Sequence, residues 1–323
     1  MNSDDPQIEL TESARMGVEP EHLLRSLGEE AYSLPVAVRL GRIKPHARPQ
    51  ACALGHYLDE TVAAGALPSS TNYRAKAAAS LSRMYLNDRY GCCVVAGRAH
   101  GFGVWTGNDT PNVALATDQE ILSQYQKWCG PADRGCNISS VLNIIKTSGM
   151  MMNGVLHKLD GYVAADWTNQ LQVKTVLYLS GAACIGFDLP QAWTSAAVWD
   201  VTTSRTVGGH DVTPIDYDEK GVYVASWGRI YLMTWAAFTS RTWISEFYML
   251  LGKDWWNDDQ LAPNGIDVKT LRDDLAKIGG GQVPPIDPPP PPHPPPPPAA
   301  GEFAISSQTV DAAGKRTIVL AQG

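Results

Sequence analysis

The stretch Asn87-Asp88-Arg89-Tyr90-Gly91-Cys92-Cys93-Val94-Val95-Ala96-Gly97 decides how the rest of the chain is interpreted. It has the pattern of a glycine-containing turn that places Cys93 at the start of a helix. A thiol at a helix N-terminus lies near the positive end of the helix dipole, which favours the thiolate and lowers the pKa. The amide of Asn87, six residues upstream, could donate to an oxyanion beside that sulfur. The stretch therefore predicts a cysteine nucleophile with half of its oxyanion hole, although inert buried cysteines are more common.

The composition is that of a globular protein with an acidic balance. The 323 residues are 44% hydrophobic, enough for a sizeable core, and the formal net charge is −7. No basic block occurs, so nucleic acid is not expected as a partner. No apolar run of about 18 residues occurs, and the acidic N-terminus has no apolar stretch behind it. Neither a membrane span nor a signal peptide is therefore expected.

The cysteines are too thinly spread for a disulfide scaffold. Six occur over 133 positions, at Cys52, Cys92, Cys93, Cys129, Cys136 and Cys184. Free thiols in a reducing compartment are the simpler interpretation. Metal binding is the more specific alternative, but the sequence has no C-x-x-C motif and the spacing of Cys129 and Cys136 fits no common zinc pattern. We expect no metal and no cofactor.

Changes of composition divide the chain into four parts. Residues 1–66 form an extension that contains the basic run Arg39-Leu40-Gly41-Arg42-Ile43-Lys44, and residues 67–280 form the main domain. Residues 281–300 are a proline-rich linker, with twelve prolines between Pro284 and Pro298. Residues 301–323 alternate as a short β-hairpin tail, which would be marginally stable alone.

The order of predicted elements indicates an α+β fold. Helices are predicted at Leu58–Ala66, Ala75–Leu86, from Cys93 onwards, after the capping box Thr117-Asp118-Gln119-Glu120, from Ser139-Ser140 to Ser148, at Gln170–Leu179 and over 266–278. Strands are predicted at Ala183–Phe187, Asp211–Ile215, Val222–Trp227, Phe303–Val310 and Arg316–Ala321. A helical half followed by a strand-rich half predicts a helical N-terminal lobe and an antiparallel β C-terminal lobe with a cleft between them.

A cysteine nucleophile needs a base, and His210 in Gly208-Gly209-His210-Asp211-Val212 is the best candidate. His100 lies about 10 Å along the helix from Cys93, too far to serve, and is expected to be a hydrogen-bonded packing residue. Cys92 is the weaker candidate nucleophile, because Asn87 is spaced for Cys93.

From His210 to Ala225-Ser226-Trp227-Gly228 the sequence resembles the papain-like cysteine peptidases, whose histidine strand is followed by an Asn-Ser-Trp-Gly strand end. The resemblance covers about residues 67–252. It includes Leu67-Pro68 with Tyr73-Arg74, and Gly135-Cys136-Asn137. It implies a papain-like two-lobe fold, with Cys93, His210 and Asn87 as catalytic residues and Trp227 shielding the histidine. A narrower likeness is to mostly uncharacterised proteins of bacteriophages and bacteria, which favours a cytoplasmic or virion-associated location.

Several positions depart from the family pattern. The asparagine that orients the histidine is replaced by Ala225; Ser226 or Asp211 could substitute, but strand neighbours point to opposite faces. The substrate-binding loop falls on Asn137, Ile138 and Ser139, where the last two replace paired glycines. Tyr90 replaces a cysteine, which leaves Cys136 without the family's disulfide partner.

Two functions from different classes follow. In the first, the chain is a cysteine peptidase that hydrolyses peptide or protein substrates: Cys93 attacks the carbonyl, His210 protonates the leaving amine, and Asn87 binds the oxyanion. In the second, it is a non-catalytic papain-fold module of a larger assembly, a virion for example, whose residues 284–323 dock a protein partner. Whether residues 1–66 block the cleft as a propeptide is left open by the sequence.

Overall fold

The computed structural model describes residues 39–44, Leu54, 67–255, 262–263 and the backbone of strands 303–310 and 316–322. The chain forms two units, residues 1–283 and 284–323. The helices predicted at Leu58–Ala66 and 266–278 and the proline-rich stretch lie outside the described residues. Among the helices that the structure does describe, none is long and apolar enough to cross a membrane.

The helices lie mainly in the first half of the main unit. They are α1 Ala78–Leu81, α2 Cys93–Asp109, α3 Asp118–Cys129, α4 Ile138–Ser148, α5 Gln170–Ser180 and α6 Trp235–Phe238. Short 3₁₀ helices occupy Tyr73–Lys76, Gln191–Thr194 and Lys253–Trp255. The predicted capping box is confirmed: Thr117 accepts from the backbone N–H of Glu120, whose carboxylate accepts from the N–H of Thr117.

The second half is built on one seven-stranded sheet. Its strands are β5 Leu159–Ala164, β6 Ala183–Pro190, β7 Val198–Trp199, β8 Thr206–Tyr217, β9 Gly221–Ser226, β10 Arg229–Thr234 and β11 Ile244–Gly252. Their order is β5-β11-β6-β8-β9-β10-β7, and every neighbouring pair is antiparallel except β10 with β7. Strand β8 lies in the middle of this sheet, and its residues from His210 to Tyr217 are buried.

Three small strand pairs complete the described elements. Strand β1 Arg42–Ile43 pairs in parallel with β2 Cys136–Asn137, and β3 Met150–Met152 pairs with β4 Val155–His157. In the second unit, β12 Phe303–Val310 and β13 Arg316–Gln322 form an antiparallel pair.

Two hydrophobic clusters give the main unit two lobes. One lies among α2, α3 and α4, with Phe102, Trp105 and Tyr125 in its centre. The other lies on the sheet and includes Phe187 and Trp199. The predicted α+β two-lobe architecture is therefore confirmed.

Helix α2 joins the two lobes, because it also packs on β8. The hydroxyl of Thr213 donates to the carbonyl of Gly97 at 2.6 Å, and the guanidinium of Arg98 lies 3.1 Å from the carboxylate of Asp211. The first residue of α2, Cys93, is thereby placed at the junction between the helical lobe and the sheet.

The predicted helix over Ala75–Leu86 is wrong beyond its first part. Helix α1 ends at Leu81, and the chain then turns. Tyr85 and Leu86 have φ values of 51° and 59°, in the left-handed region that a right-handed helix cannot contain. Helix propensity favours continuation, but the turn that leads to Cys93 requires this geometry.

The prediction that all six cysteines are free thiols is also wrong. Cys129 and Cys136 form a disulfide that ties the end of α3 to β2, while Cys92, Cys93 and Cys184 are free and buried. The family position that would pair with Cys136 is Tyr90, but a cysteine seven residues upstream takes that role. Cys129 and Cys136 are therefore not free thiols.

Candidate active site

Cys93 is the first residue of the buried helix α2, as the sequence predicts. Cys92 occupies the N-cap position of α2. Its thiol donates to the carbonyl of Tyr85 at 3.4 Å, so this side chain points into the turn that precedes the helix. The N–H of Gly91 donates to the carboxylate of Asp133 at 2.8 Å, which fixes the chain just before the two cysteines.

The thiol of Cys93 lies in a closed environment. Only 1% of the residue is exposed, and the backbone N–H groups of Asp211, Gly41 and Val94 lie close enough to the sulfur to oppose a rise of its pKa. Burial, together with the nearby carboxylate of Asp211, raises the pKa of Cys93 to about 12. The predicted lowering of this pKa is therefore wrong in this structure, because desolvation outweighs the helix dipole.

His210 lies on β8 and is fully buried, one residue before Asp211. Its Nε2 and the hydroxyl of Ser226 are 2.7 Å apart. The indole of Trp227 stacks on its ring, with the centroids 4.3 Å apart and the planes 14° apart. Its Nδ1 has no hydrogen-bond partner among the described residues, so the thiol and the imidazole are not hydrogen-bonded here. Burial lowers the pKa of His210 to about 3.

Ser226 and Trp227 reach the histidine because of the turn in which they lie. Ser226 ends β9 and pairs with Arg229 at the start of β10, so only Trp227 and Gly228 connect the two strands. Both have positive φ, 49° and 68°, as a tight hairpin of this twist requires. Strand alternation therefore favours Ser226: Ala225 pairs with Thr213, three residues from His210, so the next residue, Ser226, lies on the same face as His210.

Asp211 is engaged elsewhere and does not orient His210. Its carboxylate lies 3.1 Å from the guanidinium of Arg98 and 2.9 Å from the thiol of Cys184. Burial raises the pKa of Asp211 to about 7, against the opposing effect of Arg98. The pair of Arg98 and Asp211 is thus a buried, charged neighbour of the Cys93 sulfur. The pair could not be predicted from the sequence, because its two residues are 113 positions apart.

Asn87 is buried, and its amide already has carbonyl partners. Its Nδ2 donates to the carbonyl of Tyr90 at 3.2 Å and to that of Arg39 at 3.5 Å. The second partner belongs to the N-terminal extension. The donor assigned to the oxyanion is thus in contact with a peptide carbonyl.

Residues 39–44 of the N-terminal extension are part of the site, and we call them segment 39–44. It contacts both lobes: the N–H of Cys136 donates to the carbonyl of Gly41 at 2.6 Å, and Leu40 packs beside Gly208. The approach is so close that a Cβ on Gly41 would lie 1.8 Å from the carbonyl oxygen of Gly91. Only glycine fits at this point.

The space left around Cys93 is too small for a ligand. A narrow cavity is lined by Asn87, Cys93, Ala96, Gly97, His100, Asp211, Ala225, Ser226 and Trp227, and it has no room for the centre of a water molecule. His100 borders this cavity, but its Nδ1 is 3.0 Å from the carbonyl of Ser80. His100 is therefore a hydrogen-bonded packing residue, as expected.

The three residues assigned to substrate binding lie at the start of α4. The side chain of Asn137 caps this helix by accepting from the N–H of Ser140 at 3.1 Å, and it also accepts from the hydroxyl of Ser139. Ile138 is fully buried. The backbone of β2 pairs with segment 39–44, so the loop at Asn137 lies beside that segment. The side chain of Asn137 itself caps α4.

Segment 39–44 could not be assigned to the site from the sequence. The available signal was a glycine inside the basic run Arg39–Lys44, but nothing local connects that run to Cys93. No metal site is evident either: within the described part of the chain, no group of three or more His, Cys, Asp and Glu side chains could hold a metal ion.

Xylellain, a cysteine protease from Xylella fastidiosa, superimposes with a TM-score of 0.53 at 14% identity, over 68% of this chain and 98% of that chain. This likeness shows that the chain has a papain-like fold, as the sequence resemblance implies.

Other solved structures are similar at lower scores. A cysteine protease from Carica candamarcensis, in complex with E-64, gives 0.46 at 15% identity, covering 57% of this chain and 99% of that chain. Digestive procathepsin L 3 of Tenebrio molitor gives 0.47 at 11% identity, covering 69% and 79%. No protein-family profile and no curated protein sequence matches the chain.

Proposed function

We propose that the chain is a papain-like cysteine peptidase that segment 39–44 keeps in a closed, inactive form. One observation carries the proposal: a peptide backbone of the chain itself lies on the thiol of Cys93. The N–H of Gly41 lies close enough to the sulfur to lower the pKa of the thiol, and the carbonyl of Arg39 accepts from the amide of Asn87. A site that holds a peptide against a thiol and an amide donor is arranged for attack on peptide carbonyls.

The closed form explains why the two central groups are in their uncharged states. Burial raises the pKa of Cys93 and lowers that of His210, so at neutral pH the thiol keeps its proton and the imidazole is neutral. When the segment leaves and water enters, both shifts diminish and the helix dipole at Cys93 favours the thiolate. Displacement of segment 39–44 is therefore the activating step.

The reaction then follows from the positions of the groups. Nδ1 of His210 accepts the thiol proton, and the Cys93 thiolate attacks the carbonyl carbon of a substrate peptide bond. The oxyanion is stabilised by the amide of Asn87 and the N–H of Cys93 at the helix start. The imidazolium donates its proton to the leaving amine, and a water then hydrolyses the thioester. Ser226 and Trp227 hold the histidine throughout.

Proteolysis by an opened chain tests the proposal. The Gly41→Ala substitution displaces the segment, because the added Cβ would collide with Gly91. We expect the Gly41→Ala chain to hydrolyse unfolded casein and the Gly41→Ala, Cys93→Ala chain to be inactive. If the opened chain is folded but releases no more peptide than the double variant, the non-catalytic alternative replaces the peptidase.

The narrower assignments rest on sequence alone. They are the likeness to a bacteriophage and bacterial group, a cytoplasmic or virion-associated location, and a protein partner for residues 284–323. The disulfide between Cys129 and Cys136 weighs against a cytoplasmic location, since cytosolic thiols are kept reduced.

A further inference from the structure

The side chain of Arg42 fills a closed pocket on the sheet side of the cleft. Its Nε and Nη2 lie 3.0 and 2.6 Å from Oε1 of Glu246, and its Nη1 is 3.5 Å from a carboxylate oxygen of Asp188. Nη2 also donates to the hydroxyl of Ser245. None of the arginine side chain is exposed to solvent, and only 2% of that of Glu246 is.

The pocket is shaped and charged for a guanidinium. A Cβ on Gly186 would lie 2.5 Å from Nε of Arg42, so the glycine provides the width that the planar group needs. The second carboxylate oxygen of Glu246 accepts from the hydroxyl of Tyr248 at 3.1 Å, which fixes the carboxylate toward the arginine. The carboxylate of Glu246 takes Nε and Nη2 together, a forked arrangement that suits arginine better than the single ammonium of lysine. Asp188 adds negative charge 3.5 Å from Nη1, which has no hydrogen-bond partner among the described residues, and also pairs with Lys44 at 3.1 Å.

The pocket lies next to the nucleophile along a bound peptide. The N–H of Gly41 lies close enough to the Cys93 sulfur to affect its pKa, and Arg42 is the following residue. Segment 39–44 can leave only if the pocket is emptied. A buried carboxylate without a cation is costly, so an emptied pocket favours a replacement cation.

We propose that this pocket, formed by Glu246, Asp188, Ser245 and Gly186, is a substrate subsite that selects an arginine side chain. The peptides bound would then carry arginine close to the bond that is cut, and segment 39–44 occupies the subsite with its own Arg42. This inference rests on the proposed peptidase function, but recognition by the pocket can be measured without catalysis.

Peptide binding to a full-length chain that lacks both the nucleophile and the competing side chain tests the proposal. The chain carries Cys93→Ala, Gly41→Ala to displace the segment and Arg42→Ala, and the probes are fluorescein-labelled eight-residue peptides of alanine and glycine. Each peptide has arginine at one position, and its matched partner has leucine there. We expect at least one arginine peptide to bind about tenfold more tightly than its partner, as for one charge-assisted pair.

Substitutions show whether the preference for arginine comes from the pocket. Glu246→Gln should abolish the preference for arginine, whereas Glu219→Gln, which changes an exposed carboxylate away from the pocket, should leave it unchanged. If the Arg42→Ala chain does not fold, Arg42→Gln replaces it, because the amide keeps donors for Glu246. Equal affinity for matched peptides, including no binding of either, or a preference that survives Glu246→Gln overturns the subsite.

Catalysis is read out separately. If arginine peptides bind through Glu246 but the Gly41→Ala chain cleaves nothing, the subsite stands and the peptidase function fails. If that chain cleaves casein but the peptides show no preference for arginine, the peptidase function stands and the subsite fails.

Discussion

His210 is positioned by a serine rather than by the asparagine that the fold usually supplies. The hydroxyl of Ser226 lies 2.7 Å from Nε2, and Ala225, at the asparagine position, is buried with 1% exposure. The hydrogen bond on Nε2 leaves Nδ1 as the nitrogen that can exchange a proton with Cys93. One orienting hydrogen bond is worth roughly 1 kcal/mol, or up to about tenfold in rate.

Substitutions at the two adjacent positions should therefore have unequal effects. In the opened Gly41→Ala chain, Ser226→Ala should lower kcat/KM on casein-derived peptides by about tenfold, and Ser226→Thr should retain most of it. Ala225→Asn should bring no gain, because Nε2 already has its partner and the larger side chain overpacks a buried position. A rise in turnover with Ala225→Asn would show that Ser226 does not hold the histidine.

The buried neutral state of His210 makes folding sensitive to acid. Its pKa is lowered from 6.5 to about 3, so between these values the unfolded chain binds a proton that the folded chain does not. Stability therefore falls as the pH falls, by about 1.4 kcal/mol per pH unit for each such proton. His100, lowered to about 4, adds to the loss, and Asp211, raised to about 7, opposes it.

The contribution of His210 can be isolated by comparison with His210→Gln. The free energy of unfolding from urea titrations at pH 7, 6 and 5 should fall more steeply in the wild type. Below pH 6.5 the difference between the two chains should change by about 1 kcal/mol per pH unit. Parallel curves would mean that His210 is not buried in its neutral form.

At the level of elements, sequence prediction succeeded where local chemistry decides the outcome. The capping box at Thr117 and Glu120 fixes the start of α3, and the turn before Cys93 fixes the start of α2. It failed at Tyr85 and Leu86, where the left-handed conformation is imposed by the surrounding fold rather than by residue type.

Contacts between distant parts of the chain could not be predicted. Arg42 and Glu246 are 204 positions apart, and no pattern in either neighbourhood indicates the other. The same holds for segment 39–44, whose β1 pairs with β2 across more than ninety residues. Which segment occupies the cleft is likewise decided by contacts that are specific to this sequence.

The disulfide is an element-scale feature with a measurable effect. It closes a short loop between α3 and β2, and such loops stabilise a fold by about 2–3 kcal/mol. We expect dithiothreitol to lower the Tm of the wild type by roughly 4–8 °C. The Cys129→Ser, Cys136→Ser chain should melt at that lower temperature with or without reductant. A Tm of the wild type that is indifferent to reductant would contradict the bond.

On the scale of the whole molecule, the chain forms two units that divide between Val283 and Pro284. A proline-rich stretch is expected to act as a semi-rigid spacer and to couple the tail weakly to the core. Deletion of residues 284–323 should therefore leave the Tm of the main unit within about 2 °C of the full-length value. A larger fall, measured by differential scanning calorimetry, would mean that the tail contributes to the stability of the main unit.

The central claim is that segment 39–44 closes a site in which Cys93 is otherwise reactive. The most direct measurement is the rate of iodoacetamide alkylation at pH 7, mapped to individual cysteines by mass spectrometry. Wild type is compared with Gly41→Ala and with the matched control Gly161→Ala, where a Cβ meets nothing within 4 Å.

We predict that Cys93 is alkylated at least about tenfold faster in Gly41→Ala than in the other two chains, because displacement of the segment exposes the thiol and lowers its pKa. Cys184, buried beside Arg98 and Asp211, should stay unlabelled in all three. Equal rates at Cys93 in the three chains, or rapid labelling of Cys93 in the wild type, would contradict the account.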